Sequence, residues 1–191
     1  MRSNSDSVQE ATTVAGALGN LDDALVERAR WGDHDAFGRL IEPRAPQLLR
    51  TARAILGSES DAYEAAQEAL VAAWVRLPTL RDADRFDAWL TRTLVNKCRD
   101  ALRRRGRVRE IDLDATNLVA SDANEERAAQ AAVAAAFDRL STDERSILVL
   151  HHLDDLPVAQ IACQLGIPIG TAKSRLWSAR RHLERALEAE R

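Results

Sequence analysis

Cysteine is almost missing from this chain: Cys98 and Cys163 stand far apart, with no CxxC pair and no Cys/His ligand spacing. That excludes a disulfide framework and a structural zinc site. Lysine is as scarce, Lys97 and Lys173 only, so nearly all positive charge is arginine. No apolar run approaches the ~20 residues a membrane helix needs. Residues 1–20 lack the basic-then-apolar order of a secretory signal. The expectation is a cytoplasmic chain with no direct membrane insertion. Strand signals are absent too, with no sustained period-two alternation and no Asn-Gly hairpin turn. No nucleophile–base pair, P-loop or glycine-rich fingerprint occurs, so neither catalysis nor a cofactor is expected. The run His151-His152-Leu153-Asp154-Asp155 is a poor metal site, because adjacent helical histidines diverge by about 100°. No further ligands sit at zinc-like spacing, and no bound metal is expected.

What is present is helix and segregated charge. Among 191 residues, 46% are apolar, enough for a core, and the formal net charge is −3. That total hides a basic run with Lys97, Arg99, Arg103, Arg104, Arg105, Arg107 and Arg109, interrupted only by Asp100. An acidic stretch follows, with Glu110, Asp112, Asp114, Asp122, Glu125 and Glu126. A second basic cluster holds Lys173, Arg175, Arg180, Arg181 and Arg185. Two basic patches around an acidic connector suit a protein that meets a polyanion at two places.

The fold expected is all-α, with two small helical domains joined by an extended linker. Residues 1–20 read as a mobile tail. Asp22 and Asp23 are candidate caps for a helix reaching Trp31. A second helical stretch, 33–56, is interrupted at Pro43 and Pro46 and ended by Gly57. Ser60 or Asp61 caps a third helix stopped by Pro78. A fourth runs over 84–105 and completes a first domain, 21–105. Residues 106–124 read as an acidic linker, too long for an ordinary loop. The second domain, 125–191, contains helices near 125–139, 142–152, 157–165 and 170–188.

Two helices carry the functional signal. On the fourth, Phe86, Trp89, Leu90, Thr93, Leu94, Cys98, Ala101 and Leu102 recur as a buried stripe. Arg92, Asn96, Arg99 and Arg103 fall within about 60° of one another on the opposite side. An arginine row neutralises phosphates while an asparagine amide addresses a base. In the last helix Ala172, Leu176, Ala179 and Leu183 form the stripe, with Lys173, Ser174, Trp177, Ser178 and Arg181 opposite. With Pro157, Ala162, Gly166 and Ile167 before it, this reads as a helix-turn-helix whose second helix enters a major groove.

Three passages resemble the extracytoplasmic-function (ECF) class of sigma-70 family RNA polymerase sigma factors: DAYEAAQEALVAAW at 61–74, FDAWLTRTLVNKCRDAL at 86–102 and LPVAQIACQLGIPIGTAKSRL at 156–176. The resemblance covers nearly everything but the tail. It implies a region 2-like bundle that binds core polymerase and the −10 element, and a region 4-like domain that binds the −35 element. Asp61, Glu64, Gln67 and Glu68 match polymerase-facing positions on the clamp helices of β′, and the β flap is the implied partner of the second domain. Arg92, Asn96, Arg99, Asp100 and Arg103 are the implied −10 set. Lys173, Ser174, Arg175, Trp177, Ser178, Arg180 and Arg181 are the implied −35 set. Promoter DNA and an anti-sigma factor complete the implied partners. The alternative is a helix-turn-helix regulator that acts without polymerase core.

Overall fold

The computed structural model describes residues 22–111 and 125–189, and among these there is no strand. Nine α-helices follow one another among the described residues: α1 (22–30), α2 (His34–Ile41), α3 (Ala45–Leu56), α4 (Glu59–Arg76), α5 (Phe86–Ile111), α6 (Glu125–Asp138), α7 (Thr142–His152), α8 (Val158–Leu165) and α9 (Ile169–Glu188). The expected tail at 1–20 and the linker's remainder, 112–124, lie outside the described residues.

Local chemistry sets most of these bounds. Asp33 accepts from the Ala36 amide at 2.9 Å and starts α2, while Pro46 occupies the first turn of α3. The expected stretch 33–56 is therefore two helices. Gly57, at φ 66°, ends α3 in the left-handed conformation that glycine adopts without a Cβ clash. The turn leaves Ser58 extended, and it is Ser58, not Ser60 or Asp61, that caps α4 by accepting from the Asp61 amide. Asp22 is likewise no cap. It lies inside α1, and its carboxylate meets Arg44 at 2.6 Å.

The fourth expected helix was to stop at Arg105, yet α5 runs on to Ile111. One glycine at 106 costs only about 1 kcal/mol relative to alanine, and the arginines around it are good helix formers. A short 3₁₀ turn, Ala83–Arg85, precedes α5.

Helix α4 buries an alanine seam, Ala62, Ala65, Ala69 and Ala73. These small side chains let it lie close along α3 and α5. On α5, Phe86, Leu90, Leu94 and Cys98 are buried as expected, joined by Val95, which the stripe omitted. Trp89, Thr93, Ala101 and Leu102 are only half-buried. Arg44 pins this half together. It pairs with Asp22 and Asp87, donates to the Leu40 carbonyl at 2.8 Å and covers the Phe86 ring.

The second half folds around α7, with Ile147, Leu148, Val149 and Leu150 all buried. Gly166, at φ 65°, makes the turn between α8 and α9, and Ile167 packs partly against the core below it. The two halves close on each other, α3 and α5 of the first against α7 and α8 of the second. Leu90 and Leu94 thereby share one continuous apolar core with Leu150 and Ile161.

Candidate nucleic-acid and polymerase interface

The outward side of α5 carries Arg92, Asn96, Asp100 and Arg103 exposed, with Arg99 half-buried. Arg99 organises the row: its Nη1 donates to Asn96 Oδ1 at 2.9 Å, while its Nε donates to Asp143 Oδ1 at 3.1 Å. Arg103 lies 3.9 Å from Asp100, a loose pair between exposed groups. The helix therefore presents one asparagine amide, oriented by its neighbour, inside a field of guanidinium groups.

The basic run that looked nearly unopposed in sequence is answered across space. Lys97 pairs with Glu68 at 3.2 Å, and Arg104 reaches Glu68 at 3.3 Å and Glu64 at 3.5 Å. Two of the four expected polymerase-facing residues are thus tied to α5. Asp61 is half-buried in the first turn of α4, and Gln67 is exposed. Around Gln67 the structure adds Tyr63 and Val71, both exposed, one helical turn to either side. Sequence periodicity gave no sign of them, because a helix seamed with alanine has little contrast between its faces.

On α9, Lys173, Ser174, Trp177, Arg180 and Arg181 are exposed, while Arg175 and Ser178 are half-buried. Trp177 is 62% exposed, so it does not pack under the first helix of the motif. The Arg181 guanidinium lies 4.9 Å above its ring, a cation–π contact that stiffens both side chains. Ser174 Oγ donates to the Thr171 carbonyl at 3.0 Å. Arg175 faces back to Asp143 at 3.0 Å, and Arg180 approaches His152 at 3.3 Å. Lys173 and Trp177 thus form the open centre of the outer face of α9, flanked by arginines.

The histidine–aspartate run is structural. His151 Nδ1 lies 3.0 Å from the Leu156 carbonyl and closes the α7–α8 loop. Desolvation, with His151 and Arg180 nearby, holds the His152 imidazole below the usual histidine range. Asp154 crosses to the other half of the molecule, accepting from Thr51 Oγ1 at 2.9 Å and pairing with Arg50 at 3.1 Å. Asp154 stands in the sequence as part of a poor metal site and Asp143 as an ordinary first-turn acid, since contacts across 44 and 103 positions leave no local pattern. Burial pushes the Cys98 thiol up to about 12, which leaves it an inert core group.

Sigma-70 region 2 matches residues 40–108, and Sigma-70, region 4 matches residues 130–183. The two matches fall on the two halves that carry the α5 and α9 faces. The RNA polymerase sigma factor CnrH of Cupriavidus metallidurans is 33% identical over 184 residues, covering 88% of this chain and 95% of the relative. The ECF RNA polymerase sigma factor SigM of Mycobacterium tuberculosis is 33% identical over 156 residues, covering 82% and 79%. Among solved structures, CnrH in complex with the cytosolic domain of CnrY superposes with a TM-score of 0.66 at 29% identity, covering 90% of this chain and 99% of that one. The sigma factor RpoE in complex with the anti-sigma factor NepR from Bartonella quintana gives 0.60 at 25% identity, covering 81% and 98%. With relatives of this identity matched over most of their length, the chain belongs to the ECF sigma factors of the sigma-70 family.

Proposed function

We propose that α5 and α9 are the two promoter-reading helices of this sigma factor, which binds RNA polymerase core and directs transcription initiation. The observation that carries the assignment is the pairing of faces. Each half of the molecule holds one helix whose outer side is arginine-rich around a few base-competent groups, Asn96 on α5 and Lys173 with Ser174 on α9. In this reading Arg92, Asn96, Arg99, Asp100 and Arg103 address the −10 element. Lys173, Ser174 and Trp177 read the −35 element, and Arg175, Ser178, Arg180 and Arg181 seat that helix on the backbone. The face of α4 around Gln67, with Asp61, Glu64, Glu68, Tyr63 and Val71, meets the clamp helices of β′, and the second half meets the β flap.

An inhibitor belongs to the same proposal. A groove of about 680 Å³ runs between α6, α7 and α9, lined by Phe137, Leu148, Val149, Leu153, Leu183 and Leu187. Its volume and apolar lining suit the hydrophobic face of an amphipathic helix. The complexes of the two structural neighbours, one with the cytosolic domain of CnrY and one with the anti-sigma factor NepR, motivate assigning it to an anti-sigma segment.

The test is reconstitution. Purified core polymerase with this chain should give promoter-dependent run-off transcripts that core alone does not give. Sequence-specific DNA binding without any core affinity would favour the regulator alternative.

A further inference from the structure

A further cavity, of about 460 Å³, lies among α1, α3, α5, α7 and α8, apart from the groove assigned above. Its apolar wall is leucine: Leu48 of α3, Leu90 and Leu94 of α5, Leu150 of α7 and Leu156 of the loop that follows. Its charge is one-sided. Asp22, Asp87 and Asp154 line it, and Arg44 is the single basic residue in its lining among the described residues. A leucine wall with a few convergent polar groups, at this volume, is the pattern of a small-molecule site.

The polar groups say which ligand fits. Arg44 is already engaged: it pairs with Asp22 and Asp87, donates to the Leu40 carbonyl and covers the Phe86 ring. It is a poor seat for an anion. Asp154 is different, with a side chain only 2% exposed. Its Oδ2 accepts from Thr51 at 2.9 Å, and its Oδ1 from Arg50, which stands outside the lining, at 3.1 Å. Each carboxylate oxygen keeps a lone pair for another donor. Even with Arg50 counted, acids outnumber bases around the cavity. Gln164 supplies the second observation. It lines the cavity, is 6% exposed, and its Oε1 is buried without a hydrogen-bond partner. Buried polar atoms are nearly always hydrogen-bonded. Among the described residues this is the one buried side-chain oxygen or nitrogen left over. The last torsion of an amide side chain is broad, so a small rotation turns this acceptor to a donor in the cavity.

We infer that this cavity is a binding site for a small organic cation, an amine or amidine carried on an apolar body. The cationic head donates to Asp154 and to Gln164 Oε1, and the body lies against the leucines. The inference goes beyond the promoter-reading assignment and does not depend on it, since no residue of the cavity belongs to the α5 or α9 sets named above. A ligand held there touches both halves of the chain and stabilises the native fold by mass action.

The test titrates the full chain, by calorimetry at neutral pH, with three probes that share one body and differ in charge: octylamine, octanol and octanoate. Octylamine should bind saturably and raise Tm, about tenfold tighter than octanol, with octanoate the weakest. Gln164→Leu removes the unpartnered acceptor at similar volume. It should keep or raise the Tm of the free chain, because a stranded polar atom is gone, yet weaken octylamine about tenfold and leave octanol unchanged. Asp154→Asn keeps the shape and removes the charge, and should also weaken octylamine alone. Circular dichroism checks the fold of both, and Gln164→Leu decides if Asp154→Asn does not fold. Equal binding of the three probes would show a merely greasy cavity and overturn the assignment. So would octylamine binding that folded variants leave unchanged, since the probe would then sit elsewhere, as in the groove between α6, α7 and α9. No saturable binding of octylamine would mean that the cavity holds only water, and the site would be withdrawn.

Discussion

Arg145 grips Asp138 twice, through an ion pair of 3.0 Å to its carboxylate and a hydrogen bond of 2.6 Å to its backbone carbonyl. The same guanidinium donates to the carbonyls of Leu140 at 3.1 Å and Ile55 at 3.4 Å. Arg145 is 6% exposed. It is a buried cation that satisfies the frayed end of α6 and reaches the end of α3 in the other half. Desolvation lowers its affinity for a proton, and Asp138 partly offsets that.

Removing it strands three carbonyls. Arg145→Ala should cost about 2–3 kcal/mol, in the range for unpartnered buried polar groups. Asp138→Asn keeps the carbonyl contact and should cost less than half as much. Urea unfolding of the two variants checks the ordering, and equal losses would show that the carboxylate, not the guanidinium, carries the contact.

Thiol chemistry gives a second check. Cys163 is exposed, while Cys98 is buried with its thiol pushed up to about 12. An aromatic disulfide reagent at neutral pH should therefore titrate one thiol in the native chain and two after denaturation. Native labelling of Cys98 at a rate near that of Cys163 would mean that the α4–α5 seam opens readily.

Acid should loosen the second half first. Burial opposes ionisation of Glu144, but the Ser141 hydroxyl, the Ser141 amide and His182 outweigh it and hold the carboxyl below its usual range. The stabilisation is complete above the unfolded value of about 4.5 and is lost as pH falls through the lower folded value. His152 adds to this at higher pH. Its folded value is depressed, so its contribution is complete above about 6.5 and declines as pH drops below that. Both groups sit in α7. Tm should fall between pH 7 and 5 and again below 4.5, and Glu144→Gln should flatten the second step. The capping box itself, Ser141 with Glu144, should cost about 1 kcal/mol when Ser141 becomes alanine.

Much of this was legible in the sequence because helices are local objects. The buried stripes of α5 and α9 followed from spacing, and Gly57 and Gly166 both occupy the left-handed turns expected of them. Errors came where a signal was weak or duplicated. Ser58, Ser60 and Asp61 are all good caps, and only the exit angle of Gly57 chooses among them. Gly106 looked like a stop, yet a lone glycine in a long helix does not end it. The charge balance of α5 was out of reach, because Glu68 and Asp143 answer Lys97 and Arg99 from other helices. Helical spacing places Arg92, Asn96, Arg99 and Arg103 on one side of α5, but not the contacts that engage them.

The proposed polymerase face separates by this logic. Glu68 already neutralises Lys97 and Arg104, so Glu68→Lys would disturb the fold and the interface together. Gln67 is exposed and appears in none of those pairs. Gln67→Lys should leave Tm within about 1 °C, as expected for a surface substitution, and weaken core affinity about tenfold if α4 is the docking helix. Unchanged affinity in a titration with purified core would take Gln67 out of the interface.

The last helix makes the sharpest prediction about base reading. Lys173 projects from the first turn of α9, exposed and next to Ser174, where a recognition helix contacts base edges. Its ammonium can donate to guanine O6 or N7, a contact worth about 1–3 kcal/mol of discrimination. Lys173→Ala should then weaken binding at one position of the −35 element and leave the others alone. If the ammonium meets only phosphate, the loss should be uniform across sequences and the salt slope should flatten by about one unit. Arg180 and Arg181 should behave in the second way, because one leans toward His152 and the other covers Trp177. Trp177, open to solvent with a stiffened ring, offers its surface to a thymine methyl, so Trp177→Ala should lose more on thymine-containing sites. A binding series over single-base variants of the −35 element, at two salt concentrations and with core present, distinguishes the cases. A Lys173→Ala protein with unchanged affinity and base preference would show that α9 does not enter the groove by its N-terminal turn.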